Sequence, residues 1–122
     1  IYSNEIDKRI VSNQKGSLFE RFLQLVQEHC MEEREVDFYA GKLFISSKYL
    51  TEVSKKNSGK TASEWIQNYT TQRLIILLAN KELSFTEIGN TLHFSSQSFF
   101  SRYVLKVLGV TPSEYRRRMI FL

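Results

Sequence analysis

Apolar residues recur every three or four positions along much of the chain. Leu18, Phe22, Leu25 and Val26 form one such run, and Trp65, Tyr69, Leu74, Leu77 and Leu78 another. This spacing places them on one face of an α-helix. Polar residues between the runs mark the helix ends. Four segments have the form of a capping box: Ser17-Leu-Phe-Glu20, Thr61-Ala-Ser-Glu64, Ser84-Phe-Thr-Glu87 and Thr111-Pro-Ser-Glu114. In each, a hydroxyl can accept from the backbone N–H three residues on while the Glu reaches back. Pro112, the sole proline, falls at a first helical position, where its missing N–H costs nothing. Gly59 and Gly109 follow helical runs and stop them. The pattern predicts seven helices, near 17–29, 36–43, 47–57, 62–79, 85–92, 96–107 and 112–118, and no strand. The expected fold class is all-α.

The map contains an internal repeat. A shift of 50 residues places Leu50 on Phe100, Gly59 on Gly109, Thr61 on Thr111, Glu64 on Glu114 and Trp65 on Tyr115. Upstream the better shift is 49, which places Ala40 on Gly89 and Ser46 on Ser95, so the second turn carries one extra residue. Each copy is a short helix, a tight turn and a second helix of about three turns. That is the helix-turn-helix plan, whose second helix enters a DNA major groove. Two copies are too few for a solenoid. The expected organisation is a polar linker over 1–15, a first subdomain over 16–60, a connecting helix over 61–80 and a second subdomain over 81–122. The connecting helix itself, about eighteen residues over 62–79, would be roughly 27 Å long, enough to hold two recognition helices about one DNA turn apart.

Each second helix divides into two faces. In the later copy Phe100, Tyr103, Val104 and Val107 share the core side, while Gln97, Ser98, Ser101 and Arg102 lie opposite. Gln pairs with adenine and Arg with guanine in a major groove, and serines bond to bases or phosphates; a salt bridge inside the domain is the competing role for Arg102. Ser95 or Ser96 is the expected N-cap, and the free N–H groups there suit a phosphate, which makes Ser96 a backbone-contact candidate. In the earlier copy Ser47, Lys48, Thr51 and Glu52 hold the corresponding face, with Leu50 and Val53 inward. Tyr49 suits either the core or the flank of a groove. Glu52 can accept from cytosine N4, or can pair with Lys48, Lys55 or Lys56 at helical spacing. Lys55, Lys56 and Lys60 are phosphate candidates, which position a protein without reading sequence. Arg116 joins them, although Arg116-Arg117-Arg118 also complements the dipole of the last helix.

Composition bounds these readings. With 42% apolar and 25% charged residues over 122 positions, the chain is a globular domain and not a disordered tail. No apolar run is long enough to span a bilayer, and no signal-peptide pattern opens the chain, so no membrane contact is expected of this segment. Its first residue is Ile1, which fits a piece trimmed from a longer protein. The lone Cys30 excludes an internal disulfide and fits the cytoplasm. Residues 1–40 hold 5 Lys/Arg against 8 Asp/Glu, whereas residues 41–122 hold 12 against 5. The basic part is more basic than the whole, which points to a polyanion. Catalysis has little support. His29 and His93 have no Cys or His partner at zinc-ligand spacing, and no phosphate loop or nucleophile elbow occurs. Neither an enzyme activity, nor a metal, nor a cofactor is expected.

The stretches GKLFISSKYLTEVSKKNSGKTASEWIQ and FTEIGNTLHFSSQSFFSRYVLKVLGVTPSEYRR resemble the DNA-binding domain of AraC/XylS-type transcription regulators of bacteria. The second is the more specific, with Ile88-Gly89, Phe94, Ser98, Phe100, Ser101-Arg102, Gly109 and Thr111 to Arg116 in the family's register. The resemblance covers roughly residues 17–118. It implies two helix-turn-helix units, recognition helices in successive major-groove segments of double-stranded DNA, and a separate sensor or dimerisation region that this chain lacks. Departures are Ser54 for a usual Phe, Phe44 and His93 for usual turn glycines, Thr70 for a usual Arg and Leu105 for a usual basic residue. The rival reading is a helical protein–protein interaction module whose positive charge serves only solvation.

Overall fold

The computed structural model describes residues 14–119, with side chains from Leu18 to Met119. Most of the expected linker over 1–15 and the last three residues of the second subdomain lie outside that range. Among the described residues the chain forms α1 (Gln14–His29), α2 (Val36–Lys42), α3 (Ser47–Ser58), α4 (Ala62–Ala79), α5 (Phe85–Thr91), α6 (Gln97–Leu108) and α7 (Pro112–Met119), with no strand. The all-α expectation and its seven helices hold, each boundary within a few residues. Two compact units divide within α4, one ending at Ile66 and the other starting at Gln67.

Two of the expected capping boxes close fully. The Glu64 N–H donates to the Thr61 hydroxyl at 3.0 Å and the Thr61 N–H to the Glu64 carboxylate at 2.7 Å; Ser84 and Glu87 do the same at 3.0 and 2.8 Å. At α7 the Thr111 hydroxyl accepts from the Glu114 N–H, and the Glu114 carboxylate pairs with Arg118 one turn on. Ser17 differs from expectation. Its backbone is already helical, because α1 starts at Gln14. Gln14 and Lys15 are good helix formers, and the apolar stripe that follows draws the turn before it into the helix.

In the first unit Phe22, Val26, Tyr39, Leu50, Val53, Ala62 and Ile66 are buried. The Tyr39 ring meets Phe22 edge-on, 5.9 Å between centroids, and its hydroxyl donates to the Glu33 carbonyl at 2.6 Å. Burial, with Cys30 and the Glu33 carboxylate beside it, raises this phenol above its ordinary pKa. Ser54, buried where the resemblance leads one to expect Phe, donates to the Lys60 carbonyl at 2.6 Å and so ties the end of α3 to the turn that follows. In that turn Ser58 accepts from the Trp65 indole N–H at 2.8 Å. In the second unit Leu74, Leu78, Ile88, Leu92, Phe100, Val104 and Val110 make the core.

The two helix-turn-helix bends share one backbone device. Ile45 N–H donates to the Ala40 carbonyl and Phe44 N–H to Gly41; forty-nine residues on, Phe94 donates to Gly89 and His93 to Asn90, all at 3.0–3.1 Å. This is the Schellman arrangement, which requires a left-handed residue after the helix. Phe44 and His93 occupy it, at φ 59° and 61°. The exit turns of α3 and α6 use glycine instead, Gly59 and Gly109 at φ 79° and 78°. A left-handed L-residue costs roughly 1–2 kcal/mol, less for His than for a bulky aromatic. Phe44 is 91% exposed, so its side chain stabilises no core. Phe44→Gly is therefore expected to raise stability by about 0.5–1 kcal/mol after the greater freedom of glycine in the unfolded chain is counted. His93→Gly should gain less. Thermal melts of the two variants check the order.

The N-caps locate the extra residue of the second turn. Ser46 accepts from Tyr49 N–H at 3.0 Å and Ser96 from Phe99 N–H at 3.2 Å. Ser46 thus corresponds to Ser96, and Ser95 is the insertion.

Candidate nucleic-acid interface

On α3 the predicted division of faces is present. Leu50 and Val53 are buried, while Lys48 and Glu52 are exposed and Ser47 and Thr51 half-buried. Tyr49, left open between core and flank, is 42% exposed and lies outside the core. Ser47, Lys48, Thr51, Glu52 and Lys55 line one side of an open cleft of about 550 Å3 that Val36 of α2 completes. Ser47 is not a free hydroxyl: it donates to the carboxylate of Asp37 in the first turn of α2. A carboxylate therefore stands beside this face, and Glu52 adds a second. Of the phosphate candidates, Lys55 and Lys56 are exposed at the end of α3, and the Lys60 ammonium lies 5.8 Å from the centre of the Trp65 ring.

The face of α6 is better cleared. Phe100 and Val104 are fully buried, Tyr103 and Val107 half-buried, and Ser98, Ser101 and Arg102 exposed. The Arg102 guanidinium carbon sits 4.7 Å from the centre of the exposed Phe99 ring. That cation–π contact, worth about 0.5–1 kcal/mol at an exposed site, favours one direction of a long side chain before any partner arrives. Sequence reasoning passed over Phe99, although its i, i+3 spacing from Arg102 was a usable signal. Ser96 caps the helix and is exposed beside its first N–H groups. Leu105 is 50% exposed where a basic residue is usual, so no phosphate contact starts there. Gln97 does not join its neighbours. It is half-buried, and its amide nitrogen lies against Gly89 of α5, 2.5 Å from where a Cβ would stand.

Arg116 also parts from its expected role. Its Nε donates to the Leu78 carbonyl at 3.1 Å and its two terminal nitrogens to Leu83 at 2.9 Å and Asn80 at 3.2 Å. Its guanidinium carbon is 4.5 Å from the centre of the Phe85 ring. The guanidinium is used inside the second unit, where it closes the turn between α4 and α5 instead of standing free for a phosphate.

The charge divides as sharply as the faces. Up to Ile66 the chain has 10 Lys/Arg against 10 Asp/Glu; from Gln67 it has 7 against 3. All of the net +4 belongs to the second unit. Among the described residues no cluster of His, Cys, Asp and Glu could hold a metal ion, and no helix is long and apolar enough to cross a membrane.

Two copies of a short helix, a Schellman turn and a longer helix with an apolar underside and a polar outer stripe define a double helix-turn-helix domain. A family profile described as "Helix-turn-helix domain" matches residues 39–118, and the chain belongs to that family in its AraC-type form. Among similar proteins, the Msm operon regulatory protein of Streptococcus mutans is 29% identical over 118 residues, which is 97% of this chain but 37% of that protein. The C-terminal domain of AraT, a response regulator from Geobacillus stearothermophilus, superposes with a TM-score of 0.74 at 26% identity, over 83% of this chain and 84% of that one. The DNA-binding domain of the global transcriptional factor AdpA, solved in complex with a target DNA, superposes with a TM-score of 0.69 at 19% identity, over 82% and 90%.

Proposed function

We propose that this chain is the sequence-specific double-stranded DNA-binding part of a transcription regulator, with α3 and α6 entering successive major-groove segments. The observation that carries this reading is the repeated recognition helix. In both copies a fully buried apolar side (Leu50 and Val53; Phe100 and Val104) holds an accessible stripe of small polar and cationic residues outward. Family membership and the DNA complex of the AdpA domain support it. Base reading falls to Lys48, Thr51 and Glu52 in the first unit and to Ser98, Ser101 and Arg102 in the second, and backbone contact to Lys55, Lys56, Lys60 and the Ser96 end of α6. The work is binding, not catalysis, and the compartment is the cytoplasm. The sensor or dimerisation region belongs to a longer protein, as the short share of the Msm regulator spanned here suggests.

The test is affinity for duplex DNA against salt, over a panel of single-base variants of a selected site. Log affinity should fall linearly with log salt, with a slope of about 0.9 per phosphate neutralised. Arg102→Ala should cost about 1–3 kcal/mol on the best site and relax preference at one base pair, as loss of a bidentate guanine contact does. Lys55→Ala should weaken all sequences alike and shallow the slope by about 0.9. No duplex binding at low salt would reject the proposal in favour of a protein–protein interaction module.

A further inference from the structure

Ser47 and Gln97 are the first residues of α3 and α6, and both side chains are turned onto the helix before them. Ser47 is bonded to Asp37 of α2, and the Gln97 amide rests on Gly89 of α5. The two positions correspond at a shift of 50. Gly89, against which the Gln97 amide lies, corresponds to Ala40 at a shift of 49. The copies therefore differ at both positions: the first has a short serine and a residue with a Cβ, the second a long glutamine and a glycine. A Cβ at Gly89 would stand 2.5 Å from the Gln97 amide nitrogen, far inside contact distance. Seated there, the amide lies against α5 and is not presented with Ser98, Ser101 and Arg102.

We propose that Gly89 is a specificity-determining positioning residue. By leaving room for the Gln97 amide it makes Gln97 a brace at the bend and withholds it from the DNA, so that α6 reads bases with Ser98, Ser101 and Arg102 alone. This rests on the DNA-binding reading above. The clash that Gly89→Ala would create falls on the far end of a flexible side chain. The next nearest atoms, Cγ and Cβ of Phe100 at 3.4 and 3.5 Å, are at ordinary contact distance. The core can therefore stay in place while Gln97 swings out, and alanine favours the helix over glycine. Once released, a glutamine at the start of a recognition helix can pair with adenine N6 and N7.

The experiment uses the 122-residue chain in four forms: wild type, Gly89→Ala, Gln97→Ala and the double variant. Each is melted and assayed on the single-base panel. Gln97→Ala should keep the wild-type base preference. Gly89→Ala should melt no lower than wild type and gain a preference of roughly five- to hundredfold at one base pair, which the double variant loses. Loss of discrimination at a base pair in Gln97→Ala would overturn the proposal, because Gln97 would then be reading from its seat. So would a Gly89→Ala profile matching wild type, or a change that persists in the double variant. A nuclear Overhauser contact between the Gln97 side-chain amide protons and the Gly89 α-protons, measured without DNA, should be present in wild type; its absence would overturn the seat itself. This readout stands apart from the DNA-binding reading, whose own failure would appear first as no duplex binding by the wild type.

Discussion

Phe100→Ala is expected to destabilise the protein by about 3–5 kcal/mol. Phe100 is fully buried, meets the Phe94 ring at a centroid distance of 5.7 Å, and lies against Gly89, so it joins α6 both to the bend and to α5. Removing the ring leaves a cavity at the point where the recognition helix is held to its partner. Domains of this size are stable by only about 5–15 kcal/mol, so a loss of that order lowers the melting temperature by many degrees. Arg102→Ala, two residues further along and on the opposite, exposed side, should leave the melt almost unchanged. Urea and thermal melts of the two variants separate the faces of α6. A Phe100→Ala loss below about 1 kcal/mol would mean that the helix is not seated as described.

Arg116→Ala should cost about 2–4 kcal/mol. A hydrogen bond to a charged group contributes about 1.5–3 kcal/mol, and Arg116 makes three, discounted here because the side chain is only half-buried. Its stacking on Phe85 adds a further increment. Arg116→Lys should recover less than half of the loss, since an ammonium cannot present the planar fork that three separate carbonyls require. The salt slope of DNA binding distinguishes this role from a phosphate contact. A clamp lowers the melting temperature and leaves the slope alone, whereas a phosphate contact does the reverse, changing the slope by about 0.9.

Sequence reading succeeded where the chemistry is local. Thr61 with Glu64, and Ser84 with Glu87, announce helix starts because both partners lie within one turn. Gly59 and Gly109 announce stops for the same reason. It failed where a motif had to compete with its surroundings or a partner lay far along the chain. Ser17 has the form of a cap, but the helix already runs through Gln14, Lys15 and Gly16 before it. Arg116 sits in a run of three arginines that looks like complement to the dipole, and its acceptors are bare carbonyls 33–38 residues earlier, which carry no side-chain signature. Gln97 shares a face with Arg102 by helical angle alone. Its departure from that face depends on the absence of a side chain at Gly89, eight positions earlier on another helix. The αL turn residues were legible only as a question: Phe44 and His93 stand where glycine is usual, and the structure answers that the backbone keeps its shape and the residues carry the strain.

That the whole net charge lies from Gln67 onward has a kinetic consequence for a DNA-bound chain. On the proposed DNA-binding reading, long-range attraction acts mainly on the second unit, so first capture belongs to α6 and its surroundings, while close phosphate contact is shared with Lys55, Lys56 and Lys60 of the first. The first unit, electrically neutral and carrying Asp37 and Glu52 beside its reading face, then engages as an intramolecular event at an effective concentration set by the covalent connection. On the proposed reading Lys55, Lys56 and Lys60 hold its backbone contacts while Asp37 and Glu52 oppose phosphate beside Ser47, so a wrong sequence holds it more weakly than it holds the second unit. On that reading one chain would divide the search for a site into a holding step and a proofreading step.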